Sequence, residues 1–261
     1  MIDLIDITTF DFRTDSKNED PDNPDNGSQK LRKCHKELWS KRRLPNGDDF
    51  SLSETTEKGE YLTLKTNARE IRMASDWIIN TYLPTWGFSG EISAEMEKEV
   101  ENFTKIARTI GGHIIFPKNP IDAPKGLQTI NQERGKMNNG IEDRFDLTLE
   151  CIRRYYKKEK SPLYDAIDRY DYYFALFNDF EGFCDFFLLH DLTLNNFTEI
   201  DYFLPPSRDF DPTPHPKTRG EYYTYMNKSI AFINKRNKRM KEILAAANSP
   251  LLPRHVPHKI Q

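Results

Sequence analysis

The stretch 141-IEDRFDLTLECIRRYYKK-158 decides how the rest of the chain is interpreted. Its apolar residues recur every three or four positions, the spacing of the buried side of an α-helix. They are Phe145, Leu149, Ile152 and Tyr156. The other side carries charged residues, namely Asp143, Asp146, Glu150, Arg153 and Arg154. The pattern predicts an amphipathic helix with one face in the core and one polar face.

The sequence that follows predicts more helices. Ser161 is a plausible N-cap for a helical segment over 161–177. The strongly apolar segment 180–192 is expected at the centre of the core, and a long helix is expected from about Arg219 to Ala247. The residues expected to be buried are Phe145, Leu149, Ile152, Phe174, Phe183, Phe186 and Phe187.

The sequence before residue 141 predicts a mixture of strands and helices. Alternation and short apolar runs predict strands over 4–13, 60–66 and 113–117. Helical spacing predicts helices from the N-cap Ser28 to about Trp39, over 67–83, and from 93 to a stop at Gly111. The fold class is therefore α+β, a mostly helical single domain with a small sheet from the N-terminal half. The domain is expected over residues 1–247, with an irregular tail over 248–261.

Composition limits the class of protein. An aromatic share of 12% argues against a disordered chain, and 261 residues are enough to bury a sizeable core. The net charge of -3 predicts neither nucleic-acid nor membrane binding by global electrostatics. We expect the three widely spaced cysteines to be free thiols in a reducing compartment. No secretory signal or membrane-length apolar run is visible, so a cytoplasmic protein is expected.

Arg13 is the first candidate ligand-binding residue. It lies between Asp11 and Asp15, and a strand over 4–13 would place all three opposite Phe10 and Phe12. An arginine fork can bind a phosphate or carboxylate, and the helix that starts after Ser28 would add backbone donors. A local ion-pair lattice explains the same pattern.

A second polar cluster surrounds the helix at 141–158. The residues predicted to bind ligand are Arg13, Asp15, Asn131, Arg134, Arg144 and Arg153, and the acid–base candidates are Asp146 and Glu150. Carboxylates crowded among arginines are places where pKa values shift. We predict that Arg13, Arg144 and Glu150 face one polar cleft, which a phosphate-bearing molecule would occupy. The alternative is a solvated helix face with weak ion pairs.

Several other kinds of site are disfavoured. The acidic segment 20–27 fits an EF-hand loop in neither possible register, and no other metal site is indicated. The sequence has no HExxH, Walker A or GxGxxG motif, so the cofactor is unknown. The basic clusters at 41–43 and 234–241 could contact nucleic acid, but we favour solvated faces.

Five segments of the chain resemble a bacterial domain-of-unknown-function family. They are "FDFRTDSKNEDPD" (10–22), "HKELWSKRRLPNG" (35–47), "IGGHIIFP" (110–117), "TINQERG" (129–135) and "DRFDLTLECIRRYY" (143–156). The resemblance covers most of residues 8–240 and implies a full-length, cytoplasmic, single-domain protein. It implies no reaction, cofactor or catalytic residue.

Three functions remain open on the sequence. The first is an enzyme or sensor that binds a phosphate-bearing small molecule, such as a nucleotide or an NAD-like molecule. The second is a non-enzymatic interaction protein of a toxin–antitoxin or phage-defence system, which would display an exposed aromatic patch. The third is a nucleic-acid-binding protein or nuclease with a continuous basic stripe. The oligomeric state is not indicated.

Overall fold

The computed structural model describes residues 7–15, 28–54, 62–81, 93–120, 129–136, 144–210 and 215–248. The α-helices in these ranges are α1 (Gln29–Ser40), α2 (Ala94–Ala107), α3 (Ile130–Lys136), α4 (Phe145–Tyr156), α5 (Tyr164–Asp168), α6 (Asp171–Phe174), α7 (Phe180–Phe187) and α8 (Arg219–Asn248). The strands are β1 (Leu52–Glu54), β2 (Leu62–Lys65), β3 (Glu70–Trp77), β4 (His113–Pro120), β5 (Thr193–Leu194) and β6 (Glu199–Ile200). The predicted α+β class, mostly helical with a small sheet in the N-terminal half, is confirmed.

The four-stranded sheet is antiparallel in the order β1-β2-β3-β4. Its longest strands are β3 and β4, which pair from Trp77 with His113 to Ile71 with Pro120. The prediction of a helix over 67–83 is wrong, because β3 occupies its centre. Most of β3 is buried on both sides, so the strand lacks the clean polar–apolar alternation that identifies a half-exposed strand.

Helices cover both faces of β3. On one face, the buried Ser75 hydroxyl lies 3.0 Å from Nε2 of His35 in α1. On the other face, the Asp76 carboxylate accepts a hydrogen bond from Arg134 in α3. Successive side chains of a strand point to opposite faces, so these neighbours join the sheet to two different helices.

Most aromatic residues of the C-terminal half lie in the core. The seven residues predicted to be buried are all at most 1% exposed. Phe177, Phe183, Phe186 and Phe187 contact one another with ring centroids about 5 Å apart. The free thiols predicted for Cys34, Cys151 and Cys184 are confirmed, and all three are buried.

Helix α8 is joined to the sheet by polar residues of the segment 234–241. Arg236 is fully buried and donates hydrogen bonds to the carbonyl oxygens of Phe187, Gly111 and His113. Asn237 accepts from the Gly111 N–H at 2.8 Å. Gly111 is required there, because a Cβ would lie 2.6 Å from the Asn237 side-chain oxygen. Part of this basic segment is therefore structural.

Two buried histidines stay neutral in the fold. Trp39 donates to Nδ1 of His35, which leaves Nε2–H of that ring to donate to Ser75. The pKa of His35 lies well below its usual value and that of His113 falls to about 3; burial is the largest cause of both shifts, and the charge on Arg236 contributes to each.

We expect the free energy of unfolding to fall as the pH drops from about 6.5 towards about 3, because each histidine binds a proton only in the unfolded state over this window. The slope is at most about 1.4 kcal/mol per pH unit for each group. His113→Asn keeps a donor for the Thr109 carbonyl and should reduce this slope in urea unfolding at pH 7 and pH 5. An unchanged slope would contradict the assignment to His113.

Other predicted elements need correction or remain outside the described residues. The described part of 4–13 is not a strand. Phe12–Asp15 is a 3-10 helix, and Asp11, just before it, accepts a hydrogen bond from the Arg13 N–H. Strand β4 continues past Pro117 to Pro120, which an edge strand tolerates. Helix α3 and the β5–β6 hairpin were not predicted. Residues 249–261 of the predicted tail lie outside the described residues.

Candidate functional site

The Arg13 guanidinium is bound by the carboxylates of two nearby residues. Its Nε and Nη2 both donate to Asp11, and Nη2 also reaches Glu101 of α2 at 3.1 Å. The hydrogen bonds to Asp11 raise the pKa of Arg13. Asp15 accepts from the Ser28 hydroxyl and from the Lys30 N–H, so its carboxylate caps the start of α1. Both residues stabilise local structure.

Arg144 and Asp146 form a buried ion pair at the start of α4. Nε and Nη2 of Arg144 donate to the two oxygens of Asp146 at 2.9 and 2.7 Å. Asp146 also accepts from the Phe203 N–H, and Arg144 also donates to the Leu204 carbonyl. Burial opposes the charge on Arg144, but Asp146 outweighs it and raises the pKa. The pair connects α4 to the segment after β6.

Glu150 is the centre of a second ion-pair network. It accepts two hydrogen bonds from Arg153 and one from Nε of Arg154, all within 2.7–2.8 Å. Arg154 also donates hydrogen bonds to the exposed Asp209. Both oxygens of Glu150 are thus engaged by arginine, the arrangement of a structural carboxylate.

Arg134 differs from Arg13, Arg144 and Arg153. Its side chain is 1% exposed, and its Nη1 donates to Asp76 and, at 3.1 Å, to Asn131 one turn earlier on α3. Its Nε and Nη2 are buried and have no hydrogen-bond partner among the described residues. The Phe145 ring lies 5.9 Å from the guanidinium carbon. We call Asp76, Asn131 and Arg134 the Arg134 cluster.

The Nε–Nη2 edge of the guanidinium distinguishes Arg134 from the other three predicted arginines. Nε and Nη2 lie side by side and match the two oxygens of a carboxylate or phosphate. In Arg13, Arg144 and Arg153 this edge already holds Asp11, Asp146 and Glu150, respectively. In Arg134 both donors lack a protein partner among the described residues. A buried charged donor without a partner is unfavourable, so an anion at this edge would stabilise it.

The structure does not bring Arg13 and Arg144 together. Arg13 contacts Glu101, whereas Phe103, two positions along α2, contacts the Tyr225 ring against which Arg144 lies. Residues two apart on a helix point about 200° apart, so α2 lies between the two guanidinium groups. The expected meeting of the two arginines in one cleft is therefore wrong in its geometry. The binding and catalytic roles of the individual residues stay predictions.

Asp76 was missed by the sequence interpretation. It lies in the segment that was predicted to be a helix, and only its place on β3 brings it to Arg134. Its side chain is 12% exposed, so the Arg134 cluster reaches the surface there. The residues "MASDW" carry one usable signal, since a lone carboxylate in an apolar strand requires a buried partner.

The described residues offer no sign of a metal centre or a membrane span. No cluster of three or more His, Cys, Asp or Glu side chains within the described ranges could hold a metal ion. None of the helices described is both long enough and apolar enough to cross a membrane.

A family model matches residues 5–240 of the chain, and its description is "Family of unknown function (DUF6994)". The match spans most of the sequence, so the chain belongs to this family. No curated protein and no solved structure matches the chain. The predicted resemblance to a family of unknown function is confirmed, whereas the bacterial origin stays a prediction.

Proposed function

We propose that the protein binds a small anionic molecule, in first place a phosphate-bearing one, at the Arg134 cluster. The observation that carries the proposal is the buried Nε–Nη2 edge of Arg134, which has no partner among the described residues. Asp76 and Asn131 hold Nη1 of the same guanidinium and so fix the direction of this edge. A fixed fork favours binding, because less side-chain freedom is lost when the ligand arrives.

The charge of the cluster indicates which anions fit best. Asp76 contacts the same guanidinium, so the pair is close to neutral before a ligand binds. A doubly charged phosphate monoester would be repelled by Asp76, whereas each phosphate of a dinucleotide carries a single charge. The proposal therefore favours an NAD-like dinucleotide over a mononucleotide, with a carboxylate as the competing class.

Whether the bound molecule reacts is a separate part of the proposal. The acid–base roles predicted for Asp146 and Glu150 gain no support, because both carboxylates are occupied by arginine. Asp76 is the carboxylate that touches the Arg134 guanidinium. A sensor that only binds its ligand is consistent with this arrangement. The buried free thiols support the cytoplasmic location that forms part of the proposal.

The other two functions have less support. Most of the aromatic residues that would form a partner surface are buried, and Leu194 is the exposed large hydrophobic residue within the described ranges. In the basic run of α8, Arg236 and Asn237 are buried, and Arg239 binds Asp191. A role in toxin–antitoxin systems, phage defence or nucleic-acid binding therefore stays a prediction.

Calorimetric titration with NAD⁺, ADP, inorganic phosphate and acetate tests the proposal. Arg134→Lys keeps the charge but loses the fork, so we expect the affinity for the tightest-binding probe to fall about 10- to 100-fold. Arg153→Lys is the matched control, because its fork already holds Glu150, and it should leave the affinity unchanged. Equal losses in both variants, or no binding of any probe to the wild type, would contradict the proposal.

A further inference from the structure

A groove of about 470 Å³ runs between α1 and β1, away from the Arg134 cluster. Its lining residues are Lys33, Lys36, Glu37, Ser40, Lys41, Ser51 and Leu52. The volume lies within the range of sites that hold small molecules. The α1 residues in this set recur at helical spacing, opposite the buried Leu31 and Leu38. One face of α1 is therefore core, and the other forms a wall of the groove.

The lining of the groove is basic, although the protein is acidic. It contains the three lysines Lys33, Lys36 and Lys41 and one acidic residue, Glu37, whereas the whole chain has a net charge of -3. Lys41 is hydrogen-bonded to Glu37 and Lys36 to Glu54, so local carboxylates neutralise only part of this charge. Local charge of one sign attracts a partner of the other sign.

The lining also has an apolar component. Lysine side chains expose four methylene groups below the ammonium, and Leu52 lies beside them. The Leu52 N–H donates to the Ser40 hydroxyl at 3.2 Å, so α1 occupies the edge of β1 at this point. At this point the edge of β1 is therefore not open to an added strand. The lining residues include no aromatic ring on which a nucleic-acid base could stack.

We infer that this groove binds an acidic peptide segment of a partner protein, with carboxylates on the lysines and an apolar side chain on Leu52. Charge complementarity and the apolar part of the lining both support this occupant over a nucleic-acid strand. The inference does not depend on the Arg134 cluster, since the two sites share no residue. The groove would bind the partner protein, and the Arg134 cluster would bind the small anionic ligand.

Fluorescence anisotropy with a labelled heptapeptide of alternating Glu and Leu tests the inference. We expect Lys33→Glu/Lys41→Glu to weaken binding at least about tenfold, and binding to weaken with salt. Glu37→Gln removes the acidic residue of the groove lining and should tighten binding. The matched control Lys157→Glu/Lys160→Glu makes the same charge change at exposed lysines after α4 and should bind like the wild type. Arg134→Lys should also bind the peptide normally.

Three results would overturn the inference. The first is no binding of the peptide to the wild type, and the second is equal weakening by the groove variant and its control. The third is that a DNA duplex or a phosphatidylserine vesicle, tested in parallel, binds in a groove-dependent manner and more tightly than the peptide.

Discussion

Replacing Asp146 with alanine is expected to lower the free energy of unfolding by about 3–5 kcal/mol. The substitution leaves Arg144, whose side chain has no exposed surface, without its carboxylate. It also removes the acceptor of the Phe203 N–H. A buried charge without a partner is among the most destabilising changes that a single substitution can make. Urea unfolding at neutral pH measures the effect.

Two companion variants isolate the reason for this effect. Asp209→Ala removes an arginine partner that is 66% exposed, and we expect a change below about 1 kcal/mol. The double variant Arg144→Met/Asp146→Leu should recover most of the stability lost in Asp146→Ala, because it removes both charges together. A loss below about 1 kcal/mol in Asp146→Ala would show that the pair is not structural.

Replacing Arg236 with methionine is expected to cost about 3–5 kcal/mol of stability. Three buried carbonyl oxygens, of Phe187, Gly111 and His113, would lose their donor at once. These bonds join α8 to the end of α7 and to the start of β4, so no single element can adjust to replace them. Burial lowers the pKa of Arg236 to about 9, so the side chain remains charged at neutral pH.

Arg239→Met is the matched control for this prediction, one turn further along the same helix. Arg239 is partly exposed and pairs with Asp191, so its loss should change the stability by less than about 1 kcal/mol. If the two methionine variants unfold at the same urea concentration, the structural role of Arg236 is refuted.

The helices of the C-terminal half could be predicted because their apolar residues recur at helical spacing. In α4, Phe145, Leu149 and Ile152 share a face, and the structure buries all three. Strand β3 could not be predicted in the same way. With β2 and β4 on its two sides and helices on both faces, it has no solvent side to set a period. The strand predicted before Asp15 is wrong for another reason. Asp11 accepts hydrogen bonds from Arg13, two residues later, and the chain turns there.

The candidate site could be predicted only in part. The sequence indicated that Asn131 and Arg134 belong to a polar segment, and the structure places them together on α3. It could not indicate that Arg134 is the arginine whose Nε–Nη2 edge has no partner among the described residues, because its carboxylate, Asp76, is 58 positions away and binds only Nη1. Arginine–carboxylate pairs two or three residues apart hold the forks of Arg13, Arg144 and Arg153. Such local pairs appear in a sequence as a cluster of charges, whether or not they bind a ligand.

The Nε–H resonance of Arg134 in a ¹⁵N-labelled sample tests the central claim most directly. It is assigned as the side-chain signal that disappears in Arg134→Lys, and it is followed while NAD⁺ or inorganic phosphate is added. We predict that this resonance shifts in a saturable manner, while those of Arg13, Arg144 and Arg153 stay in place because their edges are held by carboxylates. A saturable shift at any of those three arginines, with Arg134 unchanged, would contradict the account.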